Sequence, residues 1–307
     1  MNDNINGYIL DGEFCIDNSG SSRWCFAHKD GQNVFLKELL NPTYPVEKEM
    51  YSAKILSERV KMCEEFFSSK KRLYNALNKC NTGNIVGVLD FFKYGAKYYV
   101  VTEKINNTSL SIEEIAGMSL NQKELICKII VYCIMTLHIH HIVHCDIKHE
   151  NILFKKTATG KFTAKLIDFD ASFLESELPS SDEEFHGDMV YYAPESVRYM
   201  LDEVKSVNTK IDIFALGLLF HQYFTGHLPY FNQDEYDYAY EYVLDGNVIK
   251  SDKEIPEKYI HIIDSMLLAD PEERPSAQDL FHWFSESIDD KTYDKPPVKG
   301  FFYAGDL

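Results

Sequence analysis

The sequence predicts an α+β fold in two parts, a small β-rich N-terminal part and a larger helical C-terminal part. Up to residue 105, short runs rich in β-branched and aromatic residues alternate with turn signals. Beyond residue 109, apolar residues recur at helical spacing over long stretches. With 307 residues, 45% of them apolar and 26% charged, the chain can bury one or two ordinary cores.

The strands are expected at residues 8–16, 24–28, 34–39, 86–94 and 97–104, with turns at 18–22 and at Asp30-Gly31. One helical stretch over 45–78 interrupts them, and the chain leaves the sheet through 103–107. Helices follow at 121–141, 211–225, 234–244, 256–268 and 277–288. The most apolar stretch, 125–143, carries Lys128, His138, His140 and His141, so it is a buried helix rather than a membrane span of ~20 uncharged residues. Tyr236, Tyr238, Tyr240 and Tyr242 scatter over different faces at helical pitch, which favours ordinary packing over a docking surface. The expected division is 1–105, 106–288 and a tail over 289–307.

A net charge of −17 at pH 7 repels phosphate backbones and anionic lipid heads, which excludes nucleic acid and membrane surfaces as partners. The seven cysteines are scattered and form no C-x-x-C pair, so neither a disulfide framework nor a zinc-thiolate site is expected, and a reducing, cytoplasmic compartment fits. The first residues hold no basic-then-apolar leader, and Asn2 stands where a myristoylation signal has Gly.

The chemistry is concentrated in His144-Cys145-Asp146-Ile147-Lys148-His149-Glu150-Asn151, between the buried helix and an apolar strand. Seventeen residues past Asn151, Leu166-Ile167 ends in the carboxylate of Asp168, followed by Phe169-Asp170. Singly, an Asp after a strand is a turn former and a Lys is solvated. In this order the segments resemble the catalytic loop H-R-D-x-K-x-x-N and the D-F-G motif of protein kinases, in the Ser/Thr branch because of Lys148. The resemblance continues in Tyr191-Tyr192-Ala193-Pro194-Glu195, similar to A-P-E, and in Asp212-Ile213-Phe214-Ala215-Leu216-Gly217, similar to D-x-W-x-x-G. Asp270-Pro271-Glu272-Glu273-Arg274 matches the segment whose Arg pairs with the A-P-E glutamate. It implies a bilobal fold that binds ATP and Mg²⁺ and phosphorylates protein hydroxyls. Asp146 would accept or orient the substrate proton, Lys148 would neutralise the transferred phosphoryl group, and Asn151 and Asp168 would ligate Mg²⁺. Glu195 would pair with Arg274, and Asp212 would hold the catalytic-loop backbone.

In the N-terminal part the resemblance is thinner. Val34-Phe35-Leu36-Lys37 is similar to V-A-I-K, so Lys37 would contact the α- and β-phosphates, while Phe35 replaces a small Ala over the adenine and either crowds the base or turns away. Residues 16–24 stand where G-x-G-x-x-G-x-V belongs and keep only Gly20, with Ser21 beside it as a phosphate-facing N–H donor, while Asp17 would repel phosphate. Thr102 would lie behind the adenine, and backbone groups of Glu103 and Ile105 would hydrogen-bond it. Among Glu47, Glu49, Glu58, Glu64 and Glu65, the partner of Lys37 is taken as Glu65, and Lys70 occupies an alternative alignment.

Cys145 replaces the catalytic-loop Arg that would grip a phosphorylated activation segment, so the non-RD type is implied, without gating by phosphorylation there. Cys145 also reads as a small apolar filler. Asp188 stands where Ser/Thr kinases commonly have a Thr that touches the catalytic Asp; with Asp182, Glu183 and Glu184 it marks either a solvated acidic loop or a preference for basic protein substrates. Asp170 replaces the Gly of D-F-G, restricting the backbone or adding a carboxylate near Mg²⁺. The first functional expectation is an active Ser/Thr protein kinase. The alternatives are a pseudokinase scaffold and a kinase-fold transferase that moves another group, such as AMP.

Overall fold

The computed structural model describes residues 4–16, 22–46, 51–80, 82–105, 110–156, 162–179 and 185–286. The chain divides into two compact units, Met1–Thr108 with Lys165–Asp168, and Ser109–Ala164 with Phe169–Leu307. The tail expected over 289–307 lies outside the described residues.

The first unit is built on strands β1 (Asn4–Ile5), β2 (Tyr8–Leu10), β3 (Ser22–Lys29), β4 (Gln32–Leu39), β5 (Val88–Tyr94) and β6 (Lys97–Glu103). They form one antiparallel sheet in the order β1-β2-β3-β4-β6-β5. Alternation along each strand sorts the side chains. One face buries Tyr8, Cys25, Ala27, Val34, Leu36, Phe92, Tyr99 and Val101 in a single core. The buried carboxylate of Glu38 belongs to that face, where it accepts from Tyr99 Oη at 2.7 Å and from Arg23 Nε at 2.9 Å.

The opposite face carries Lys37 and receives the helix α1 (Ala53–Leu77). Phe67 of α1 stacks on Phe91 and Tyr98, and Tyr74 meets Phe91 edge-on. The helix begins at Ser52, whose hydroxyl accepts from Ile55 N. The long strand expected over 8–16 is shorter: β2 ends at Leu10, and Cys15 rejoins the sheet by a bridge to Trp24.

In the second unit the described helices are α2 (Ile112–Ala116), α3 (Leu120–Ile139), α4 (Pro194–Met200), α5 (Lys210–Thr225), α6 (Ala239–Leu244), α7 (Glu257–Met266) and α8 (Ala277–Trp283). The short strands β7 (Ile142–Val143), β8 (Ile152–Lys156), β9 (Phe162–Leu166) and β10 (Phe173–Leu174) pair as β7-β10 and β8-β9. α5 is apolar all round and buries thirteen of its residues, as a central helix must, with α2, α3 and α7 packed on it. The helix expected over 234–244 starts only at Ala239, because the Glu241 carboxylate accepts from the N–H groups of Asp237 and Tyr238 at 2.8 and 3.0 Å and fixes the start there.

None of the seven cysteines is joined in a disulfide. Among the described residues, no helix is long and apolar enough to cross a membrane.

Candidate active site

In the first unit, the ammonium of Lys37 lies 2.8 Å from both carboxylate oxygens of Asp168. The pairing arises because residues 165–168 run back to the sheet unit: Leu166 N donates to Asn84 O at 2.8 Å, and Val86 N donates to Leu166 O at 2.9 Å. Asp168 has φ 61°, a left-handed conformation that Asp tolerates better than most residues but that still stores strain. Phe35 does not leave the face of Lys37. Two residues apart on β4, both point the same way, and Phe35 stacks on Trp24 with centroids 5.2 Å apart and meets Phe26 edge-on. Thr102 faces Phe35 across the β4-β6 pair, and the Glu103 carboxylate is bonded by Lys165. Ile105 is half-buried just past β6.

Glu65 does not take the position expected for the partner of Lys37. It sits on the exposed side of α1, 3.6 Å from Lys61 and with a side chain 68% exposed. The stripe of α1 that packs on the sheet runs through Phe67 and Tyr74, and at helical spacing the residue between them is Lys70. Gly20 and Ser21, expected to face phosphate, lie outside the described residues, as do Glu47, Glu49 and residues 182–184.

In the second unit, the catalytic-loop residues converge. Asn151, buried at the start of β8, donates through Nδ2 to Asp146 O and Asp146 Oδ2, both at 2.8 Å. Lys148 Nζ lies 3.1 Å from Asp146 Oδ2 and 3.7 Å from Asp188 Oδ2. Burial acts to lower the Lys148 pKa, but attraction by Asp146, Asp188 and Glu150 outweighs it, and the net value lies above that of an ordinary lysine. The Asp188 N–H donates to Asp146 Oδ1 at 2.9 Å, while its own carboxylate caps the turn Met189–Tyr191 through Val190 N. Asp146 is therefore held on both oxygens.

The loop is anchored from α5. Asp212, 1% exposed, accepts from the N–H groups of His144 and Cys145 at 2.9 Å each and from His138 Nε2 at 3.0 Å. This fixes Cys145 at φ 69°. Its thiol is half-exposed and donates to His186 O at 3.2 Å, so it is no buried apolar filler. The fully buried His144 ring packs on Phe169. Further along, Arg274 grips Glu195 with two bonds of 2.6 and 2.8 Å.

A protein kinase domain model matches residues 44–284, well over half of the chain. The chain belongs to the protein kinase domain family. Curated kinases resemble it at modest identity. Serine/threonine-protein kinase PSK2 of Saccharomyces cerevisiae is 29% identical over 220 residues, covering 69% of this chain and 18% of the relative. Serine/threonine-protein kinase ste20 of Aspergillus fumigatus is 27% identical over 219 residues, covering 70% of this chain and 26% of the relative. The chain thus spans about a fifth to a quarter of these relatives' lengths. The crystal structure of Rad53 1-466 in complex with AMP-PNP superposes with a TM-score of 0.61 at 21% identity, covering 91% of this chain and 65% of that one, which establishes the fold.

Within this kinase domain, two supporting residues carry no motif signal of their own. His138 is the side-chain partner of Asp212, and His149 ties the loop down by contacts to Leu110 O at 2.7 Å and Tyr223 Oη at 3.1 Å. A histidine on an apolar helix reads as core, and only the fold brings Asp212 to it.

Proposed function

We propose that this chain is an ATP-dependent serine/threonine protein kinase of the non-RD type, working in the cytoplasm and not gated by phosphorylation of its activation segment. The observation that carries this is the clamped carboxylate of Asp146, with Lys148 at 3.1 Å and Asn151 at 2.8 Å. Asp146 accepts or orients the proton of the substrate hydroxyl, and Lys148 places positive charge where the transferred phosphoryl group develops negative charge. Lys37 contacts the α- and β-phosphates, backbone N–H groups near Gly20 and Ser21 face the phosphates, and Thr102, Glu103 and Ile105 border the base. Rate enhancement then comes from positioning and electrostatics.

The donor set fits Mg²⁺. Because the Asn151 Nδ2 is committed to Asp146, its amide oxygen is the atom it offers a cation, and the resemblance to kinases, rather than any distance between the two units, makes the Asp168 carboxylate the other hard oxygen ligand. When bound, the ion neutralises phosphate charge. Seven cysteines without a disulfide fit a reducing compartment. Cys145, uncharged in place of Arg, gives a phosphorylated segment nothing to pair with. The carboxylate of Asp188 beside Lys148 favours basic protein substrates.

The test is intact-mass analysis after incubation with ATP, Mg²⁺ and a basic test protein, beside Asp146→Ala and Asp168→Ala variants. Phosphate-sized additions that vanish in both variants are expected, and AMP-sized additions would replace this reading with that of an AMP transferase. One observation favours a second reading, a scaffold. Trp24 and Phe26 pack on Phe35 on the Lys37 face, where the family has a small Ala at the Phe35 position, and the inward stripe of α1 offers Lys70. An absence of any ATP-induced stabilisation, against about 2.7 kcal/mol expected at 100 times Kd, would favour the scaffold.

A further inference from the structure

Beyond the catalytic loop, the second unit holds a histidine and two carboxylates that converge from distant parts of the chain. One ligand atom each from His227, Asp252 and Glu254 lies within 4.8 Å of the other two. His227 follows the end of α5, and Asp252 and Glu254 stand in the loop before α7. Asp212, which anchors the catalytic loop, is fifteen residues before His227, and α5 puts about 20 Å of helix between its first turn and its end.

The hydrogen bonds around His227 decide which nitrogen is available. Its Nδ1 lies 2.8 Å from Leu228 O, and a carbonyl can only accept, so Nδ1 carries the proton. The other nitrogen, Nε2, faces Asp252 Oδ2 at 3.4 Å. That leaves an imidazole nitrogen beside two carboxylates, an arrangement a cation stabilises. A backbone carbonyl on the remote nitrogen is also how metal-ligating histidines are oriented.

His221 organises both sides of the cluster without joining it. Fully buried on α5, its Nδ1 donates to His227 O at 2.9 Å, and its Nε2 accepts from the N–H of Asp252 at 3.3 Å. The two loops are thereby held at a fixed separation by groups that are not ligands. A tetrahedral ion with bonds of roughly 2.0–2.2 Å puts neighbouring donors about 3.4 Å apart, the spacing of His227 Nε2 and Asp252 Oδ2. Glu254 is exposed and can swing inward to complete the set.

We propose that His227, Asp252 and Glu254 bind a divalent transition-metal ion of the zinc class, with water in the remaining position, cross-linking the loop after α5 to the loop before α7. One imidazole and two carboxylates select such an ion over Mg²⁺ or Ca²⁺, which take oxygen ligands. The site is independent of the kinase reading.

The experiment is titration of the full chain with Zn²⁺ in excess Mg²⁺, by calorimetry and thermal unfolding, and with Co²⁺ by visible absorption. The expected result is one Zn²⁺ per chain, a rise in Tm, and tetrahedral Co²⁺ bands. Affinity should fall at least about tenfold in His227→Ala and in Glu254→Gln, both of whose side chains reach solvent, and far-UV circular dichroism of the metal-free variants checks that each is folded. The proposal is overturned by an absence of stoichiometric Zn²⁺ binding, by binding that both variants retain, which would put the ion on cysteine thiols, or by equal binding of Mg²⁺ or Ca²⁺.

Discussion

The backbone N–H of Asp188 donates to Asp146 Oδ1 at 2.9 Å, so the residue standing in the family's threonine position clamps the catalytic-loop carboxylate through its main chain. Its own side chain is left to cap Val190 N and to share Lys148. Asp188→Asn should therefore leave kcat nearly unchanged while raising KM for a basic protein substrate by roughly two- to fivefold, the scale of a partly exposed charge pair. Steady-state kinetics on a basic and a neutral peptide check this. A collapse of kcat would mean that the side chain, not the main chain, positions Asp146.

Lys148 lies between two carboxylates, and its pKa is raised in the folded state above the ordinary lysine value of 10.5. Above that pH the unfolded chain releases the proton first, so the stabilisation is fully present below pH 10.5 and is lost as pH rises through the folded value. Lys148→Met should lower Tm by a constant amount from neutral pH up to about 10.5, with the gap closing above it. A gap that stays constant through the alkaline range would show that the side chain contributes by packing alone.

Gly187 precedes Asp188, and a Cβ built there would lie 2.6 Å from Cys145 O and 2.7 Å from Tyr192 Cε1. The first of these is backbone and cannot step aside without moving the loop that presents Asp146. Gly187→Ala is expected to cost about 1–3 kcal/mol in chemical denaturation and to reduce kcat. Gly12→Ala, where nothing lies within 4 Å, is the control and should be close to neutral.

Breaking the Glu195–Arg274 pair should be costly and unequal from its two sides. Glu195→Ala strands a guanidinium that is fully buried, at roughly 3–5 kcal/mol. Arg274→Ala should cost at least as much, because Arg274 also donates to Leu268 O at 2.7 Å, Lys210 O at 3.0 Å and Ala269 O at 3.2 Å. Equal and small losses from urea unfolding of both variants would contradict this.

Much of the C-terminal architecture is legible from spacing. Asp212 under the catalytic loop and Arg274 against Glu195 are contacts between short segments whose residue types are already unusual: a carboxylate opening an apolar helix, and an arginine after Asp-Pro-Glu-Glu. Such charges in apolar surroundings need partners, so the motifs declare their own contacts. The N-terminal part is harder, because a helix of 25 residues with polar and apolar positions intermixed does not announce which stripe turns inward. Glu65 looks as eligible as any carboxylate until the rings of Phe67 and Tyr74 settle on Phe91 and Tyr98 and rotate it outward.

The sequence by itself determined the α+β division and the kinase family, through local period and through residues of special chemistry at short, motif-matching spacings. Only the tertiary structure decided that Phe35 stays on the face of Lys37, that Lys37 meets Asp168, that Asp188 works through its N–H, and that His227 lies beside Asp252 and Glu254. Each of these depends on which side of a strand or helix is buried, or on a main-chain group that every residue but proline possesses. Neither leaves a mark on residue identity, because burial is chosen by the packing of distant segments and a backbone N–H looks the same at every position.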